Sequence, residues 1–182
     1  MMHRAWRSLF VLLVALTLAA ILQQGLPPVP VVDVKAPWLL ALAVYYGVRR
    51  EAGWAFAAAI GAGIVLDGLG CMPYGVSLWV CVLLAVVCVM VVRRQMADTV
   101  VTCLVVTVGV ALLHEGVLYA ALRASGAFAP VDAAYLGSRL LGVALVGAPV
   151  GGVVAAVVRH MDTALGNSGN ENEGETLNSN AY

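Results

Sequence analysis

His114 and Glu115 are adjacent titratable residues inside an apolar run, Thr99–Leu122. Neighbours on a helix point about 100° apart, so the pair cannot face one ligand squarely. The chain continues Gly116-Val117-Leu118, so the second histidine of an H-E-x-x-H zinc site is missing and the metalloprotease reading falls. Glu115 lies about two-thirds of the way along its run. An acid at that depth faces a bundle interior, a lumen or a partner, or is protonated and bonds a neighbouring carbonyl. Asp67 ends an earlier run and is followed by Gly68, Gly70, Pro73 and Gly75. Two roles are open to it: bonding the amides of that turn, or contacting a partner helix or substrate. Arg139 either snorkels to lipid headgroups or pairs with Asp67 or Glu115. Cys71, Cys81, Cys88 and Cys103 show no C-x-x-C spacing. Cys81 and Cys88 lie two helical turns apart, too far for a disulfide, and the cysteines read as apolar filler. Three scattered histidines make no metal-ligand set. With no Ser/His/Asp set, no phosphate loop and no basic, aromatic-rich surface, the expectation is a protein without catalytic residues, cofactor or nucleic-acid partner.

The elements that must position these residues are membrane spans. Of 182 residues, 62% are hydrophobic and 11% charged, and the mean hydropathy is +0.95. Soluble domains run at about 45–50% apolar and about 25% charged. The spacing predicts an all-α bundle of six spans, over about 6–22, 34–48, 52–69, 72–92, 99–122 and 139–158. Residues 1–162 form one membrane domain on this reading, and the polar tail 163–182 is too poor in apolar residues to fold. Arg4 and Arg7 before the run Ser8–Leu22 also fit a signal peptide, but the run continues without a breaker and more spans follow, so an uncleaved helix is expected. Gln23–Lys35 holds three prolines and a glycine and reads as a connector.

The second run, Ala36–Val48, spans only about 20 Å against a hydrocarbon core of about 30 Å, so it must borrow from its flanks, thin the bilayer or pack inside the bundle. Tyr45 and Tyr46 suit an interfacial belt, and Arg49, Arg50 and Glu51 close the run. The third run carries small residues in steps of four at Ala59, Gly63 and Asp67, with Ala57 and Gly61 one face over. Such rows let helix backbones approach closely in lipid, and this helix is expected at the centre of the bundle. Arg123–Ser138 reads as a loop. The sixth run contains Gly147-Ala-Pro-Val-Gly151, whose proline is expected to kink the helix. Arg4, Arg7, Arg49, Arg50, Arg93, Arg94 and Arg159 fall on one side of the alternating spans, and Lys35, Arg123 and Arg139 on the other. The positive-inside bias then places both termini in the cytoplasm and Asp67 at the outer face.

The stretch APWLLALAVYYGVRREAGWAFAAAIGAGIVLDGLGCMPYGVSLW resembles the most recognisable region of the MreD rod-shape-determining family. In that family the second span closes on basic residues, the third ends G-x-x-x-D, and a short glycine-containing turn ending in Gly leads to the fourth. These elements fall on Arg49 and Arg50, Gly63 and Asp67, Gly70, and Gly75. The resemblance covers residues 5–162 in length and span pattern, and its specific signal lies within Trp38–Trp79. His114-Glu115 matches no motif of the family. The resemblance implies a non-enzymatic inner-membrane component of the bacterial elongation machinery, acting with MreC, RodA and its class B penicillin-binding transpeptidase, and indirectly MreB. It implies a helix arrangement like that of the substrate-binding components of ECF vitamin transporters. A small-molecule binding subunit of that kind is the alternative, against which stands a thin outer-half polar inventory: Asp67, Tyr74, His114, Glu115 and Tyr119.

Overall fold

The computed structural model describes residues 2–29, 34–70, 75–92, 100–126 and 133–164. They form six helices: α1 (Met2–Gly25), α2 (Trp38–Arg49), α3 (Ala52–Leu69), α4 (Val76–Val87, prolonged by a π-turn over Cys88–Val92), α5 (Val100–Ala124) and α6 (Ala133–Ala164). Among the described residues the one extended pairing is an isolated antiparallel bridge between Val29 and Val34. The all-α reading and the count of six helices therefore hold. Four of them, α1, α3, α5 and α6, are long and apolar enough to cross a membrane. Large apolar side chains stand exposed on the flanks, among them Phe10, Ile64, Leu83, Leu141 and Leu145. Such a surface is an aggregation liability in water and the ordinary surface of a protein that faces lipid.

The expected centre was α3, and the centre is α2 instead. This helix packs against each of the other five, and every residue from Leu39 to Val48 is buried. Its 12 residues rise only about 18 Å. A helix screened on all sides by longer neighbours need not match the bilayer thickness, which explains why the shortest run is also the innermost. A small-residue row marks where two backbones touch; it does not say how many sides of a helix are covered. On α3 the row Ala59, Gly63, Asp67 is buried, whereas Ala57 is exposed. A Cβ added at Gly63 would lie 2.5 Å from the Leu78 Cα, so α3 and α4 meet backbone to backbone.

Tyr45 and Tyr46 do not form an interfacial belt. Both are 2% exposed, and their rings meet edge to face with centroids 5.7 Å apart. The Tyr45 hydroxyl donates to Asp162 Oδ2 at 3.2 Å, and Arg50 forms an ion pair with the same carboxylate. This buried cluster ties the end of α2 to the end of α6, and Arg49 sits half-buried beside it in the last turn of α2. Asp162 is the partner that makes the buried Tyr45 tenable, because a phenol removed from water needs an acceptor.

The sixth helix is longer than the expected 139–158. It runs from Ala133 to Ala164, so Arg139 stands in its second turn rather than at its start. The expected loop Arg123–Ser138 shrinks accordingly, since α5 reaches Ala124 and α6 starts at Ala133. Thr163 and Ala164 belong to the helix, and the rest of the expected tail lies outside the described residues. Pro149 sits inside α6 within the row Gly147–Gly151. Gly151 approaches Thr107, whose Oγ1 would be 2.8 Å from an added Cβ, and Gly147 lies against Ala111. The row thus seats α6 on α5.

Candidate functional site

α3 ends and α4 begins at one end of the bundle, the end opposite the Asp162 cluster. The first amides of any helix lack intrahelical acceptors, and in a medium without water they must find them elsewhere. Asp67, in the last turn of α3, supplies them for α4. Its Oδ2 accepts the amides of Gly75 at 2.9 Å and Leu78 at 3.2 Å, and its Oδ1 accepts that of Ser77 at 2.9 Å. The side chain is 5% exposed, and a carboxylate that receives three amides at a helix N-terminus is held by charge-assisted bonds and by the helix dipole. Of the two roles open to Asp67, the geometry supplies the turn-bonding one.

Gly75 completes this corner. It precedes α4 with φ 99°, in the left-handed region, and a Cβ there would meet open space. Gly75→Ala is therefore expected to cost about 1 kcal/mol through the backbone alone, read as a small fall in the unfolding midpoint in mixed micelles. Gly70 is different: with φ −87° it closes α3 in an ordinary helical conformation, and its amide bonds Leu66. Cys71 to Tyr74 lie outside the described residues. A second helix is capped in the same manner, since Gln23 Oε1 at the end of α1 accepts the Leu39 amide of α2 at 3.2 Å.

His114 and Glu115 diverge as their adjacency requires. His114, 7% exposed, faces α4, and its Nε2 lies 3.1 Å from the Ser77 hydroxyl. Glu115 faces α6, where its Oε2 accepts the Arg139 Nε–H at 3.3 Å. Of the three partners open to Arg139, the structure shows Glu115. The pair is 25% and 38% exposed, so Glu115→Gln is expected to cost at most about 1 kcal/mol, measurable by reversible unfolding of the two proteins side by side.

These residues enclose a cavity of about 520 Å³. Its floor is apolar, from Leu40, Leu66, Ala111, Leu140 and Val143. Its walls carry Gln23, Gln24, Lys35, Ser77, His114, Glu115, Tyr119, Tyr135 and Arg139. The volume falls in the range of about 300–1,000 Å³ usual for small-molecule sites. Sequence reasoning counted too few polar groups here. Gln23, Gln24, Lys35, Tyr135 and Arg139 were left out because they sit in or beside presumed connectors. The available signal was the alternation of spans, which sends the end of α1, the start of α2 and the start of α6 to the same end as Asp67. Gly63, Arg49 and Arg50 lie away from the cavity, whereas Gly70 and Glu115 line it. Among the described residues no group of His, Cys, Asp and Glu is arranged to hold a metal ion. Comparison of the chain with protein-family models, with curated proteins and with solved structures gives no match.

Proposed function

We propose that this chain is a non-catalytic scaffold of the MreD type in the bacterial elongation complex. On this reading it lies in the inner membrane with both termini cytoplasmic, and it helps place lateral-wall peptidoglycan synthesis by holding MreC, RodA and the class B transpeptidase, with MreB engaged indirectly. The observation that carries the reading is the α3–α4 corner. Gly63, Asp67 and Gly75, the residues on which the family resemblance rests, act on one another: Gly63 brings the two backbones together, Asp67 caps α4, and Gly75 turns the chain between them. Beside the corner, α4 presents an exposed stripe of Trp79, Leu83, Val87 and Met90 at helical spacing. A rigid corner holds such a stripe in a fixed place for a partner helix. The test is recovery of the tagged protein from its own cells in polymer nanodiscs. Co-recovery of MreC and the wall synthases is expected, and their absence from the recovered complex would overturn the proposal.

The cavity favours a second reading, the vitamin-type substrate-binding subunit of an ECF transporter. In that case the same experiment recovers a pair of ATPases with a coupling membrane subunit.

A further inference from the structure

Among the described residues that line the cavity, the charges do not cancel. Glu115 and Arg139 neutralise each other across the α5–α6 seam. Lys35 remains, an exposed cation at the rim, and no described carboxylate forms an ion pair with it. Asp67, the nearest buried acid, does not line the cavity and has both oxygens occupied by backbone amides. The Arg139 guanidinium carries five N–H donors. One, the Nε–H, goes to Glu115, so donors remain for another acceptor. The phenol of Tyr119 and the amide of Gln23 add further hydrogen-bonding groups to the lining. The apolar part of the lining, Leu40, Leu66, Ala111, Leu140 and Val143, offers aliphatic surface.

From this division we infer that the cavity binds a small amphipathic anion. Its phosphate or carboxylate group sits between Lys35 and Arg139, and its aliphatic body lies on Leu40, Leu66, Leu140 and Val143. The excess cation selects against amines, and a guanidinium already aligned by Glu115 meets an anion with little reorganisation. The same chemistry belongs to the headgroup and upper chain of an anionic lipid and to a free alkyl phosphate or carboxylate. This inference stands apart from the scaffold proposal, because it concerns a ligand of the bundle and not the proteins recovered with it.

The test uses the full chain in phosphatidylcholine nanodiscs, titrated with octyl phosphate at concentrations where the amphiphile is monomeric. Saturable binding with a raised unfolding midpoint is expected, and octylamine, which has the same body and the opposite charge, is expected not to bind. Arg139→Gln and, separately, Leu140→Trp are each expected to weaken octyl phosphate binding roughly tenfold or more. Leu140 is only half-buried and faces the cavity, so its replacement fills the floor without prising helices apart. Repeating the titration in nanodiscs containing phosphatidylglycerol separates the two sources: competition identifies a lipid headgroup, and unchanged affinity identifies a free anion. Absence of saturable octyl phosphate binding overturns the inference. So does equal binding of octylamine, or affinity unchanged in both variants.

Discussion

Replacing Asp67 with alanine is expected to lower the unfolding free energy by about 3 kcal/mol, because the amides of Gly75, Ser77 and Leu78 lose their common acceptor together. The site is buried, with Asp67 5% exposed, so water does not readily replace it. Asp67→Asn keeps one acceptor oxygen and places an N–H₂ against an amide that needs an acceptor, so roughly half the loss is expected. Unfolding in mixed micelles with increasing denaturing detergent reads both variants. Carbonate extraction should show Asp67→Ala still inserted, since insertion depends on the apolar runs and not on the cap. On the scaffold proposal the same variant recovers less MreC, because the end of α4 is no longer fixed. A variant with wild-type stability would show that the cap contributes nothing, and wild-type recovery would separate the corner from partner binding.

Gly63→Leu is expected to do more damage than Asp67→Ala. The limit at this position is backbone and not a flexible side chain: an added Cβ would stand 2.5 Å from the Leu78 Cα and 3.1 Å from its amide nitrogen. Even Gly63→Ala must push α4 away, at a cost of about 1–3 kcal/mol. The leucine variant is expected to lose the α3–α4 contact altogether and, with it, the alignment of Asp67 with the first turn of α4. A paired cysteine crosslink between α3 and α4 would report the separation. Gly68→Leu is the control, because Gly68 is exposed and nothing lies within 4 Å of an added Cβ. Equal stability of the two leucine variants would mean that the Gly63 face meets lipid.

The sequence shows most clearly what single helices dictate for themselves. Apolar runs located six helices, and the four-residue spacing of Ala59, Gly63 and Asp67 marked the buried face of α3. What depends on partners far along the chain was less visible. Tyr45 looks like an interfacial residue until Asp162, 117 residues later, provides an acceptor. Arg139 had three plausible partners by position alone, and only the seating of α6 on α5 through Gly147 and Gly151 brings it to Glu115. The cavity was underestimated for a related reason. Gln23, Gln24 and Lys35 belong to a stretch that reads only as a proline-rich connector, and only the folded bundle turns Gln23 into the cap of α2. Extra turns at both ends of α6 escaped notice because Ser138, Arg139, Arg159 and Asp162 look like stop signals, whereas a helix that outruns the bilayer can carry them in its end turns.

The burial of α2 has a consequence for how the protein is made. A helix of 12 residues, about 18 Å long, cannot settle by itself in a hydrocarbon layer of about 30 Å. It needs its screen of neighbours, and one of them, α6, does not begin until Ala133, which is 84 residues after Arg49 (133 − 49). At a synthesis rate of about 5–20 residues per second, that interval lasts roughly 4–17 s. During it, α2 has to be sheltered by the insertion machinery or by an incomplete bundle. A nascent chain arrested before residue 133 is accordingly expected to crosslink to that machinery through α2, and one extended through Ala164 to have let go of it. The innermost helix is in this sense synthesised well before the neighbour that completes its place.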